Sequence, residues 1–121
     1  MEAKAISRHN RHSPRKMRMV VDLIRGKRVD EAYSILQFSK KKGAEIVDKT
    51  LRSAVANARN KAENEGQVVD VDDLYVKEAY VNEGARLKRY RAAAQGRAAP
   101  ITRPTCHVVV VVDTKEERAQ A

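Results

Sequence analysis

The 121-residue chain reads as a single α+β domain, residues 1–121, from which a basic arm over residues 84–104 projects. Three features carry that reading. Apolar residues recur at helical spacing through the first half of the chain. After Gly66 they give way to Val- and Tyr-rich segments of β character. Between those segments lies a stretch of cations, alanines and glycines with almost no apolar bulk.

The elements follow in order. Ser13-Pro14 opens the first helix, with Ser at the N-cap and Pro at the first helical position, where its missing N–H costs nothing. Met17, Val20, Val21 and Ile24 then fall at i, i+3, i+4 and i+7 and form one apolar stripe, with Arg15, Lys16, Arg18 and Arg25 largely off it. Gly26 ends the helix as a left-handed cap. Asp30 and Glu31 suit the positive end of a second helix, whose inner face is Ala32, Ile35 and Leu36. Lys40-Lys41-Lys42-Gly43 is a basic joint. The third and longest helix runs from Ala44 to Glu65 on Val47, Leu51, Ala54, Val55, Ala58 and Ala62, and Gly66 stops it. Its many alanines imply close approach to a neighbouring element.

Val68 to Glu83 reads as a strand, and His107 to Asp113 as another. The five consecutive valines of the latter imply burial on both faces or a central place in a sheet. Residues 2–9 are short and mixed, and a strand is one reading of them. For Gly84 to Pro104 the economical solution is that the two strands continue outward as one long hairpin. An arm of about eight residues at ~3.3 Å each reaches roughly 27 Å beyond the sheet.

Charge separates the chain into blocks. Lys and Arg total 25 against 16 Asp and Glu, a formal charge of +9, which on so small a domain points to an anionic partner, most simply nucleic acid. Residues 1–28 hold nine basic residues against Glu2 and Asp22, residues 29–83 hold eight against eleven acids, and residues 84–112 hold six with no acid. Candidate RNA contacts are therefore Arg8, Arg11, Arg15, Lys16, Arg18, Arg25, Lys27 and Arg28 in the first block. In the arm they are Arg86, Lys88, Arg89, Arg91, Arg97 and Arg103. Arg and Lys neutralise phosphates, Gly and Ala admit close backbone approach, and Tyr90 is placed to stack on a base or sugar. With aromatics at 4% and no Trp, a sheet studded with stacking aromatics is not the mode of recognition.

Other chemistries find little support. The lone Cys106 excludes an intrachain disulfide and any Cys-rich zinc module, and fits a reducing compartment. His9, His12 and His107 invite a metal site with Cys106. However, adjacent strand residues point to opposite faces, so Cys106 and His107 do not share an ion. No metal or cofactor is expected. Asp70, Asp72 and Asp73 lack the spacing of a calcium loop and read as a solvated turn. No phosphate-cradling Gly loop and no nucleophile–base pair is legible, so no catalytic residue is assigned and the chain is read as a non-enzyme. The run Val108 to Val112 is too short to span a bilayer, and Met1-Glu2-Ala3-Lys4 has no apolar signal core behind it.

A resemblance sharpens this picture. Arg11-His12-Ser13-Pro14-Arg15-Lys16, Asp22-Leu23-Ile24-Arg25-Gly26-Lys27 and Ser53-Ala54-Val55-Ala56-Asn57-Ala58 occur in order. They are followed by Asn82-Glu83-Gly84, Lys88-Arg89, Gly96-Arg97-Ala98 and Cys106-His107 before the valines. In this combination the chain resembles the family of the universal large-subunit ribosomal protein number twenty-two, in its short bacterial form. The resemblance implies three helices packed on a small three-stranded antiparallel sheet with a long protruding β-hairpin. It implies a cytoplasmic, ribosome-bound constituent that binds and organises large-subunit ribosomal RNA, with its hairpin lining the peptide exit tunnel. The tunnel-lining tip falls at Lys88, Arg89, Tyr90 and Arg91 with Ala92 and Ala93. The implied partners are ribosomal RNA, neighbouring ribosomal proteins and the nascent polypeptide, with no membrane and no homo-oligomer. The chain departs from the family pattern at Ala85, Ala92, Ala93 and Gln95, where members often carry Pro, Pro, Arg or His, and Lys.

From the residues alone, two other classes stay open: a DNA-binding protein that lays a basic β-arm in a groove, and a basic enzyme acting on RNA. Against the first, the tip carries Arg, Ala and Gly rather than Pro or bulky apolar wedges. Against the second, no catalytic set is legible.

Overall fold

The computed structural model describes residues 2–66, 70 and 73–114. The opening of the predicted Val68–Glu83 strand, Asp72 of the acidic cluster and residues 115–121 lie outside the described residues. The elements are β1 (Ala3–Asn10), α1 (Pro14–Ile24), α2 (Val29–Phe38), α3 (Ala44–Asn64), β2 (Leu74–Glu83), β3 (Leu87–Ala92), β4 (Ala98–Arg103) and β5 (Cys106–Thr114). All three helices form where the apolar stripes put them. Ser13 is the N-cap of α1 and Pro14 its first residue, although the Ser13 side chain makes no capping hydrogen bond. A strand does form at the start of the chain, over Ala3–Asn10 rather than residues 2–9.

Strands β1, β5 and β2 make one antiparallel sheet in that order. The valine run is thus the central strand, paired on both sides. Its alternate residues do different jobs. Val108, Val110 and Val112 join the helix-facing core with Met17, Ile24, Val47, Leu51 and Val76. Val109 and Val111 lie on the other face, which no helix among the described residues covers. By register Val109 is flanked there by Ile6 and Tyr80, and Val111 by Lys4 and Glu78, and both valines are buried. Burial of the whole run therefore needs one helical layer, supplemented by cross-strand neighbours.

Helix α3 packs on β1 and β5, and α1 lies along β2. The alanines of α3 meet the small inner residues of β1: Ala54, Ala58 and Ala62 are buried, as are Ala3 and Ala5. An edge strand leaves carbonyls unpaired, and α3 supplies donors to one edge while α1 and its C-cap residue supply the other. Asn57 and Lys61 of α3 donate to the Lys4 and Glu2 carbonyls beside β1, both at 2.9 Å. Arg18 donates to the Val81 carbonyl of β2 at 3.2 Å, and Arg25 donates to the Ala79 carbonyl through both Nε (3.0 Å) and Nη2 (2.6 Å). Gly26 takes the left-handed conformation (φ +79°), yet it does not close the helix on itself. Its N–H goes to the Val76 carbonyl at 3.0 Å, and Val76 N–H returns to the Lys27 carbonyl at 2.8 Å.

One expectation is corrected. The arm is not a continuation of β2 and β5 within a single three-stranded sheet, because β3 and β4 form a separate two-stranded sheet. The ladder stops at Gly84–Arg86 on one side and Pro104–Thr105 on the other. Pro104 has no N–H to offer a ladder. Gly84 donates its N–H to the Thr105 carbonyl at 2.9 Å, and the Thr105 hydroxyl donates to the Ala85 carbonyl at 2.5 Å. A Cβ at position 84 would sit 2.5 Å from that hydroxyl oxygen and 3.2 Å from the His107 ring, so the joint requires glycine.

Candidate nucleic-acid interface

The ribbon of β3 and β4 pairs from Leu87↔Arg103 to Ala92↔Ala98. The chain reverses between Ala93 and Arg97, through a single 3₁₀ turn at Ala94–Gly96 in which Gln95 and Gly96 have φ of +61° and +71°. Lys88 to Ala92 therefore belong to the outgoing strand, and Ala93 stands where the reversal begins.

Strand alternation sorts the ribbon's side chains. Leu87, Arg89 and Arg91 share one face with their partners Arg103, Ile101 and Ala99. Lys88, Tyr90 and Ala92 share the other with Thr102, Pro100 and Ala98. Three arginines are on one face, and the tyrosine and lysine are on the opposite one. Tyr90 is 73% exposed, so its ring is presented to solvent.

All eight candidate cations of the N-terminal block are exposed, and so are the six of the arm. They are not equally free. Arg18 and Arg25 hold the β2 edge, and Arg25 also pairs with Asp22 at 2.7 Å. Arg86 lies 3.9 Å from Glu83. Arg28 forms an isolated bridge with Tyr75. Arg8 lies on β1, Arg11 follows it, Arg15 and Lys16 are in the first turn of α1, and Lys27 lies in the turn after it. The remaining arm cations project from the ribbon or its turn.

The ribbon's arginine face borders a groove of about 800 Å³. Its other walls are the start of α1 and the loop between α2 and α3. There Gly43 lies against α1, where a Cβ on it would meet Met17 Sδ at 2.7 Å, and Lys41 and Lys42 before it are exposed. In the sequence this lysine run reads only as a joint. Three successive lysines before a glycine were the signal that it also forms a surface.

His9 and His107 do meet, with ring centroids 5.1 Å apart and edge-to-face. The His9 N–H donates to His107 Nδ1 at 3.1 Å, a contact made possible by a β-bulge in which His9 has φ +59°. Cys106 is fully buried while His107 is only half-buried, so the two side chains leave the strand on opposite faces. Burial pushes the Cys106 thiol up, opposed by the nearby Arg18 charge and a main-chain hydrogen bond from His12. Among the described residues no three His, Cys, Asp or Glu side chains gather as a metal site would need.

The described chain is thus a helix-backed sheet with both edges tied by side chains, carrying an exposed ribbon on which Arg89, Arg91 and Arg103 share one face. The chain matches the family described as Ribosomal protein L22p/L17e over residues 5–113. It is 58% identical over 116 residues to the large ribosomal subunit protein uL22 of Bifidobacterium longum (strain DJO10A), covering 96% of this chain and 98% of that one. The uL22 proteins of Oceanobacillus iheyensis and Halothermothrix orenii are 50% and 49% identical over 117 residues, each covering 97% of this chain and 99% of the relative. The chain belongs to the L22p/L17e family of ribosomal proteins, as the motifs had indicated. It is accordingly a non-enzymatic structural constituent of the large ribosomal subunit, in the cytoplasm. No helix among the described residues is long and apolar enough to cross a membrane.

Proposed function

We propose that this protein binds and organises large-subunit ribosomal RNA through two cationic surfaces, and that the segment 84–104 is a protruding hairpin lining the nascent-peptide exit tunnel. The first surface is the N-terminal block, with Arg8, Arg11, Arg15, Lys16, Lys27 and Arg28 as phosphate contacts. Arg18 and Arg25 there serve the sheet edge as well. The second is the ribbon, where Arg86, Lys88, Arg89, Arg91, Arg97 and Arg103 enter RNA from several sides. Lys88 to Ala93, leading up to the reversal, form the part nearest the nascent polypeptide. The protein acts as a single copy beside neighbouring ribosomal proteins, without a cofactor.

The observation that carries this reading is the ribbon's composition set against its exposure. It holds six cations and no acid, and nothing in it from Lys88 to Pro100 is buried. A two-stranded ribbon without a core is marginal in water. Surrounded by phosphates, the same residues gain partners at every cation, and recognition rests on RNA shape rather than base reading.

Sedimentation of a cell lysate through sucrose gradients at low and high salt tests this. Co-migration with large subunits at near-unit stoichiometry, surviving moderate salt, is the expected result. Migration at the top of the gradient, or with the nucleoid, overturns it.

A further inference from the structure

We infer that the groove between the lysine joint and the ribbon root is a binding site for a single RNA strand, which then follows the ribbon's arginine face. This rests on the RNA-binding reading above and adds a site and a path to it.

The groove has cations on all its walls: Arg11 and Lys16 from the α1 side, Lys41 and Lys42 from the joint, and Arg89 and Arg103 from the ribbon. Among the described residues no acidic one lines it. Among the described residues, no carboxylate pairs with any of the six. Six like charges around one concavity repel one another and focus a positive potential into it. Among the described residues no carboxylate offsets that repulsion, so the arrangement suits an anion threaded between the walls. A phosphodiester strand matches it better than an acidic peptide. The lining also offers Met19, Leu87 and Pro104, apolar surface against which sugars and bases can lie while phosphates meet the cations. At about 800 Å³ the groove has room for a short single-stranded segment.

The path onward follows from register. Leu87, Arg89 and Arg103, which line the groove, occupy the same ribbon face as Arg91. A strand leaving the groove meets Arg91 next. The hollow on the opposite side of the ribbon root carries three cations, Arg15, Arg18 and Arg86, but also Glu83, which lies 3.9 Å from Arg86, and Arg18 there is engaged with the Val81 carbonyl. The groove has six cations and, among the described residues, no carboxylate, and the RNA is assigned to it.

The test uses the full chain and protein-free large-subunit RNA, with affinity measured from 50 to 200 mM KCl. Each lost phosphate contact lowers the salt slope by about 0.7–0.9. Lys41→Ala with Lys42→Ala should therefore shrink the loss of affinity across that range by about tenfold relative to the unmodified chain. The charge-matched pair Lys49→Ala with Arg59→Ala, on α3, should leave it unchanged. Arg103→Ala, from the facing wall, should shrink it by about threefold. An equal change in both double variants, or none in the groove variants, overturns the groove while leaving RNA binding intact. An unmodified chain whose affinity ignores salt overturns the RNA-binding reading along with it.

Discussion

From Val108 to Val112 every residue of β5 is buried, and from Lys88 to Pro100 every residue of the ribbon is exposed. Both are antiparallel β-structure in the same chain, separated by only a few residues. The central strand is held from three directions, by β1, by β2 and by the helices behind it. The ribbon has only its own ladder and a single joint. Hydrophobic burial fixes the first, and the second is left to whatever surrounds it. The lesson is that secondary structure alone does not tell where stability resides. The side chains on each face do.

Three perturbations sharpen that contrast. The largest effect belongs to the core. Leu51 is fully buried under the sheet, and Leu51→Ala should destabilise the fold by about 2–5 kcal/mol, seen as a lower midpoint in urea with the transition still cooperative. The joint comes next. Gly84→Val forces a side chain against Thr105 and His107 and should cost about 1–3 kcal/mol by the same assay, with loss of the Thr105–Ala85 hydrogen bond. Deleting Lys88 to Arg91 is the smallest. It should leave the unfolding free energy within about 0.5 kcal/mol of the intact chain, since no core residue is touched. A collapse of the thermal transition in that deletion would mean that ribbon and core fold as one unit.

Much of the core was legible because local rules and burial agree there. The Ser13-Pro14 start, the stripe from Met17 to Ile24 and the stop at Gly66 each follow from one residue's backbone preference or from a repeat of apolar side chains. What escaped reading depends on contacts far apart in sequence. Arg18 and Arg25 look like free surface cations, and nothing nearby in the chain announces that the carbonyls of Val81 and Ala79 await them some sixty and fifty-four positions later. The break at Gly84 is set by Thr105 and His107, residues on the returning side. The reversal was obscured because one of its two left-handed positions is Gln95, a residue that rarely adopts that conformation. As for the interface, charge blocks located the cations, but the division of the ribbon into an arginine face and a tyrosine face needed the pairing register.

The joint at Gly84 and Thr105 also sets how well the ribbon can be aimed. Six residues of strand at ~3.3 Å each make a lever of about 20 Å. Turning such a lever by about 10° at its root moves the far end by about 3–4 Å, roughly the rise of one strand residue. A hydrogen bond and a missing Cβ at the root thus govern alignment at the tip to within one residue's length, magnified by distance alone.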